Sequence, residues 1–426
     1  MYAILRPLQR RFQRRLLRSW RSRYLRVLAK WRRSSLDDVT FIAVTGSCGK
    51  STTIALADAI LSSAGKCCVG VGPSTTLVPE TILRVESSTR FCIQECHASF
   101  QGVIAKNIRL LQPQIGLVTT IGADHYTSYR GLEATAWEKG HLVEGLNSDG
   151  IAILNMDDPL VLSMAKRTRA RVVTFGVSQQ ADFRALDVSS VWPNRLSMTV
   201  AHGSEVVLVE TNFVGEHWTT SVLAAIALGV VCGIDLQTCA EIVRTVEPVF
   251  GRYSVHSRSD GASYVLDSYK APYWTIVAGL DFIKTATAPR KTIVFGTVSD
   301  YPGARGSRYR RVAREALEVA DRIVFVGPNS GHIDTLRKGE LKDRLFGFHT
   351  SYEACAFVNS NAIPHELIYV KASVSDHLER VMLSQLDQVV CWRERCGYRH
   401  ACVTCPKYRK ATLPPFGLIA PKQSQM

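Results

Sequence analysis

No uninterrupted apolar run in this chain reaches the roughly 18 residues that a membrane-spanning helix needs. The N-terminus also lacks the apolar core that marks a secretory signal. A spanning or secreted protein is therefore not expected, and a cytosolic one is. Acidic residues are missing altogether from the first 33 positions, which hold twelve Lys or Arg. The formal net charge of +15 thus belongs mostly to one appendage, and the other 393 residues carry only +3. Internal repeats and low-complexity linkers are lacking too, which excludes solenoid and mainly disordered architectures. What is present describes a soluble globular protein: 46% apolar and 21% charged residues over 426 positions, long enough for two domains plus appendages. Cysteine is not scarce. Eight of the twelve are scattered through apolar segments, as reduced packing residues are, and four crowd near the C-terminus.

The basic segment "LQRRFQRRLLRSWRSRYLRVLAKWRR" places Leu8, Phe12, Leu16, Trp20, Tyr24 and Leu28 at steps of four, with Pro7 near its start. This spacing predicts an amphipathic helix over 1–36 whose Trp and Arg content, within residues 1–33, suits an anionic membrane surface. A peripheral position on the inner face of the membrane follows as the expectation. An RNA-binding arm and a presequence share the composition and stay open, nucleic acid being the less favoured partner.

From residue 40 the pattern alternates strand and helix: "VTFIAVTG", "IALADAILSSAG", "RFCIQE", "IGLVTTIG", "WEKGHLVEGL", "GIAILN", "RVVTFG". A second alternation follows Pro248 with "SYVLDSY", "WTIVAGLDFIK", "KTIVFG", "RIVFVG" and "LIYVKAS". The fold class expected is α/β: a P-loop central domain over 37–248 with a mostly parallel sheet, then a smaller Rossmann-like α/β domain over 249–385. A basic, cysteine-rich tail occupies 386–426.

The segment "VTGSCGKSTT" joins a strand to a helix. Backbone N–H groups of Gly46, Ser47, Cys48 and Gly49 at a helix start form a cradle for phosphate oxygens, with Lys50 on the β/γ-phosphates and Ser51 and Thr52 beside them. The general motif wants a glycine where Val44 stands.

"TGSCGKST" resembles the loop of the Mur ligase family, which keeps Thr-Gly and Gly-Lys without that first glycine. The likeness continues in order through "IGADHYTSY", "AWEKGHLVEGL", "DGIAILNMDDP", "GEHWTTSVLAAIAL", "FGRYSV" and "VLDSYKAP". The last two are most similar to the branch that adds D-alanyl-D-alanine. The resemblance implies an ATP- and Mg²⁺-dependent ligase that phosphorylates a carboxylate and lets an amine displace phosphate from the acyl phosphate, its substrates being a small-molecule acid and amine. It implies that Ser51 and Glu95 hold one Mg²⁺, that His125 and Lys139, the latter as a carbamate, serve a second, and that His217, Arg252 and Asp267 serve the nucleotide. Lys50, Lys139, His125 and Arg252 are the catalytic set.

The chain departs from the family at Trp218, Ser221, Lys270, Thr120, Ala372 and Val374. Only about 40 residues precede the loop, where the peptidoglycan ligases have a UDP-sugar-binding domain, so a substrate without UDP-sugar is expected. A non-catalytic nucleotide-binding subunit that recruits a partner is the alternative. In the tail, Cys391, Cys396, Cys402 and Cys405 are spaced C-x4-C-x5-C-x2-C, which suits a structural Zn²⁺. An iron–sulfur cluster uses the same ligands, His400 can replace one of them, and a metal-free tail is the third reading.

Overall fold

The computed structural model describes residues 21–72, 74–123, 131–301, 303–386, 389, 391–394, 396–398 and 400–405. These residues divide into two units: those within 21–188, 197–211 and 218–246 belong to the first, and those within 189–196, 212–217 and 247–405 to the second. The fold is mixed α/β, with parallel pairing dominant in both sheets.

In the first unit, nine strands run in the order β2-β3-β1-β4-β5-β6-β7-β8-β9. They are β1 Thr40–Thr45, β2 Lys66–Gly70, β3 Thr89–Glu95, β4 Ile115–Val118, β5 Ile151–Asn155, β6 Arg171–Gly176, β7 Phe183–Ser189, β8 Ser197–His202 and β9 Glu205–Glu210. The central strands are short apolar runs buried on both faces, the pattern that parallel pairing under flanking helices imposes. Helix α1 (Lys50–Ser62) follows β1, α2 (Val103–Leu111) precedes β4, and α3 (Leu132–Glu144) precedes β5. The pair β8–β9 is antiparallel and exposes Val206 and Leu208, a hairpin that the sequence reading did not identify.

Residues 21–33 are helical and belong to this unit. Ala29 and Leu36 enter its core. Arg33 donates from Nε to Leu111 O (2.8 Å) and from Nη2 to Gln112 O (2.9 Å), while its guanidinium sits 4.0 Å above the Phe41 ring. A cation on the last carbonyls of α2 satisfies acceptors that no helical N–H reaches. Several arginines of the segment read as membrane-facing thus hold the helix to the fold. Tyr24, Val27 and Trp31 are exposed on it. The rest of the proposed stripe, Leu8 to Trp20, lies outside the described residues.

The second unit has six strands in the order β10-β11-β15-β12-β13-β14: β10 Ser254–Ser257, β11 Ser263–Asp267, β12 Lys291–Phe295, β13 Arg322–Val326, β14 Leu345–Phe348 and β15 Leu367–Lys371. Only β10 runs antiparallel to its neighbour. The strand ends of β11 and β15 lie in register, Asp267 opposite Lys371. No helix among the described residues is long and apolar enough to cross a membrane.

Candidate nucleotide site

The loop Gly46–Gly49 leaves β1 and enters α1 with two backbone conformations that a side chain resists: Gly46 has φ 147° and Gly49 φ 81°. A Cβ on Gly46 would lie 1.9 Å from Thr119 Oγ1, and one on Gly49 would lie 2.6 Å from Ser221 Oγ. Glycine is required at both positions for space as well as for dihedral angle.

The segment after β4 clasps this loop. Ser47 N–H donates to Thr120 O (2.7 Å), Ser47 Oγ to Gly122 O (3.2 Å), and Thr119 Oγ1 to Cys48 O (2.6 Å). The clasp is held from β5: Asn155 Nδ2 donates to Thr119 O at 2.9 Å, and Asp158 Oδ2 accepts from Ile121 N at 2.7 Å. Asp158 also caps the turn of helix begun by Pro159. The run "NMDDP" therefore acts through the backbone of residues 119–122, at one remove from the loop.

Two lysines converge on one carbonyl. Lys50 Nζ donates to Gly46 O at 2.6 Å, and the fully buried Lys139 reaches the same oxygen from α3 at 2.9 Å. Its neighbour Glu138 turns the other way and accepts from Gly102 N (2.6 Å) and Ile104 N (2.9 Å), capping α2. Sequence reasoning missed Glu138, whose role depends on a helix far from it along the chain.

Glu95 ends β3 opposite Val44 of β1, which sets its carboxylate at the strand edge from which the loop departs. It is buried, and Oε2 accepts from Gly72 N at 3.2 Å. His125 lies outside the described residues. The Thr120 hydroxyl is buried without a hydrogen-bond partner among the described residues.

These donors fit a magnesium-bound nucleotide phosphate. Two ammonium groups face the loop, Ser51 and Thr52 open α1, a hard carboxylate stands at the adjacent strand end, and an unsatisfied hydroxyl lies beside them.

The second unit holds His217, Arg252 and Asp267. Asp267 is buried and accepts from Lys371 Nζ (2.6 Å) and Tyr369 Oη (3.0 Å), and Tyr369 Oη also bonds Tyr253 Oη at 3.0 Å. His217 packs on the Tyr253 ring, 4.4 Å between centroids. Burial first, and the Lys371 ammonium second, push its imidazole down to about 3. Arg252 is partly exposed and lies 4.4 Å over the Tyr269 ring. Lys371 was legible only as the first residue of "KAS", yet it is the cation that holds Asp267.

A glycine loop between a parallel strand and a helix, clasped by the next strand's turn and faced by two lysines, defines a P-loop nucleotide-binding unit joined to a second α/β unit. Residues 44–229 match the family model of the Mur ligase middle domain. The chain is 29% identical over 319 residues to the UDP-N-acetylmuramoyl-tripeptide--D-alanyl-D-alanine ligase of Mycobacterium tuberculosis, a match covering 72% of this chain and 62% of that protein. The aligned part thus spans less than two thirds of that relative. Among solved structures, MurF from Acinetobacter baumannii shares the fold with a TM-score of 0.76 at 21% identity, over 85% of this chain and 80% of that one. The MurF ligase of Thermotoga maritima, in complex with ADP, gives 0.75 at 18% identity, over 85% and 83%.

Proposed function

We propose that the protein is an ATP- and Mg²⁺-dependent ligase joining a carboxylate to an amine. The convergence of Lys50 and Lys139 on the Gly46 carbonyl, inside a loop that matches the family, carries the reading. In the proposed reaction a carboxylate oxygen attacks the γ-phosphorus and the bond to ADP breaks, leaving an acyl phosphate. The amine nitrogen then attacks the acyl carbon, phosphate leaves, and the amine proton passes to phosphate or solvent. Chemistry of this kind rests on charge neutralisation and positioning. Lys50 would hold the transferred phosphate's charge. Ser51 and Glu95 would hold Mg²⁺, which draws charge from the phosphate oxygens. Lys139, with His125, is assigned to a second Mg²⁺ as a carbamate, which turns its cation into a carboxylate-like ligand. His217, Arg252 and Asp267 are assigned to the nucleotide.

The departures at Lys270, Ala372 and Val374 support a substrate pair unlike that in the relatives' names, and we propose an acid without a UDP-sugar. Phosphate release is to be measured with D-alanyl-D-alanine and UDP-linked muramoyl-tripeptide in one arm and with UDP-free acids and other amines in the second. Turnover in the first arm overturns the finer substrate reading and leaves the ligase. Trapping the acyl phosphate as a hydroxamate with hydroxylamine separates a ligase from a subunit that binds nucleotide and recruits a partner. ATP consumption unaffected by Lys50→Ala, or no hydroxamate with any acid, sinks the ligase reading.

For location, the exposed Tyr24, Val27 and Trp31 on a basic helix support docking at an anionic membrane surface. Flotation with anionic vesicles should lose the protein when all three are changed to Ser. Flotation equal to wild type rejects the docking.

A further inference from the structure

The tail cysteines meet residues that follow β15 in the second unit. Cys391, Cys396, Cys402 and Cys405 line one pocket together with His377 and His400. His377 is buried in the turn after β15, with a left-handed φ of 54°. Its Nε2 lies 3.0 Å from Cys396 Sγ and its Nδ1 3.7 Å from Cys402 Sγ. One imidazole thus stands between two thiols six residues apart in the chain.

Arg380, fully buried, donates from Nε to Cys402 Sγ at 3.4 Å. Glu379 accepts from Cys402 N–H at 2.6 Å, and the ligand atoms of His377, Glu379 and Cys402 all lie within 4.8 Å of one another. A guanidinium donor and a backbone-anchored carboxylate next to a sulfur are the outer partners that orient and charge-balance a metal ligand. The tail is also docked independently of the sulfurs. Glu394 accepts from Ser351 N and Oγ at the start of the helix Ser351–Ser360, and Trp392 packs edge-on against Tyr352 at 5.1 Å.

We propose that this pocket is a structural zinc site. The His377 imidazole and the Cys396 and Cys402 thiolates are three ligands, a thiolate from Cys391 or Cys405 is the fourth, and the metal clamps the tail to the second unit. Sulfur and imidazole donors select a borderline-soft cation over Mg²⁺ or Ca²⁺. The imidazole interposed between two cysteines favours mononuclear zinc over an all-thiolate iron–sulfur cluster and over a disulfide between them. Each ligating thiol yields its proton to solvent as the metal binds. The site owes nothing to the ligase reading and stands or falls without it.

The test uses full-length protein, metal analysis and zinc X-ray absorption. One zinc per chain is expected, with sulfur neighbours at about 2.3 Å and a nitrogen at about 2.0–2.1 Å. His377→Ala and Cys402→Ser should each lower zinc affinity at least about tenfold, and Cys239→Ser, in the first unit's core, should leave it unchanged. Because a variant can misfold, wild type is also stripped with chelator: trypsin should then cut within 391–405 at least about tenfold faster, and added Zn²⁺ alone should reverse this. Wild type that takes up no stoichiometric zinc, carries disulfides among these four cysteines, binds iron with visible charge-transfer absorption, or shows no nitrogen neighbour overturns the proposal.

Discussion

Lys139, carried by α3, and Lys50, at the start of α1, both donate to the carbonyl of Gly46. An anion bound at the loop meets the Lys50 ammonium at short range, where its neutralisation is worth a few kcal/mol at an effective dielectric near 20. Lys50→Ala should therefore lower ATP turnover by about 10²–10³-fold, the range for removing one preorganised donor, and weaken ADP binding. Lys139→Ala should reduce turnover by a similar factor with a smaller effect on ADP. Calorimetry with ADP beside a phosphate-release assay checks the split, and equal loss of ADP affinity in both would contradict it.

Gly46 marks the narrowest part of the loop. Its φ of 147° and the 1.9 Å that would separate an added Cβ from Thr119 Oγ1 combine backbone strain with overpacking. Gly46→Ala should cost about 2–4 kcal/mol and abolish the ADP-induced rise in melting temperature. Gly203, in the β8–β9 turn, also has positive φ but nothing within 4 Å of its Cβ position. Gly203→Ala should cost only about 1 kcal/mol, and thermal denaturation with and without ADP compares the two.

The α/β class was legible because buried parallel strands are short apolar runs separated by helical periodicity, and the loop was legible because strand, glycines, lysine and helix are contiguous. What stayed hidden depends on partners far apart in the chain. Glu138 caps a helix that starts at Val103, Ser221 packs on Gly49, and Lys371 pairs with Asp267 from another strand. The hairpin β8–β9 was passed over because apolar Val206 and Leu208 face outward and blur its alternation. His377 lies outside the cysteine spacing that pointed to a metal. Apolar spacing with Trp and Arg content pointed the N-terminal helix to a membrane, and the spacing could not show that Arg33 bonds two carbonyls at the end of α2.

Asp267 and Lys371 form a buried ion pair at 2.6 Å, with side chains 11% and 3% exposed. Removing one partner strands a charge away from water, so Asp267→Leu should destabilise the protein by about 3–5 kcal/mol. The double variant Asp267→Leu, Lys371→Met should recover much of that loss, since an apolar pair of similar volume needs no counter-charge. Urea unfolding of the single and double variants measures the coupling. A double variant as unstable as the single would show that the pair is replaceable by nothing apolar. Asp267→Leu should also lose turnover if Asp267 serves the nucleotide, and in the double variant stability should return without activity.

His217 gives the fold a pH dependence with a defined sign. Its imidazole, buried beside the Tyr253 ring and near the Lys371 ammonium, is pushed down to about 3 in the folded chain, against about 6.5 when unfolded. Above pH 6.5 neither state holds the proton and the contribution is fully present. As pH falls below 6.5 the unfolded chain takes up a proton that the folded chain refuses, so stability is lost progressively until about pH 3. The slope for this one group approaches about 1.4 kcal/mol per pH unit. His256, pushed down to about 4 by burial, adds a similar term that ends nearer pH 4. Urea midpoints from pH 7.5 to 4.5 should fall steadily in wild type and less steeply in His217→Gln, with the two curves drawing together as the pH drops. A variant slope equal to that of wild type would mean that His217 carries its proton in the folded state and that its burial has been overcome by another partner.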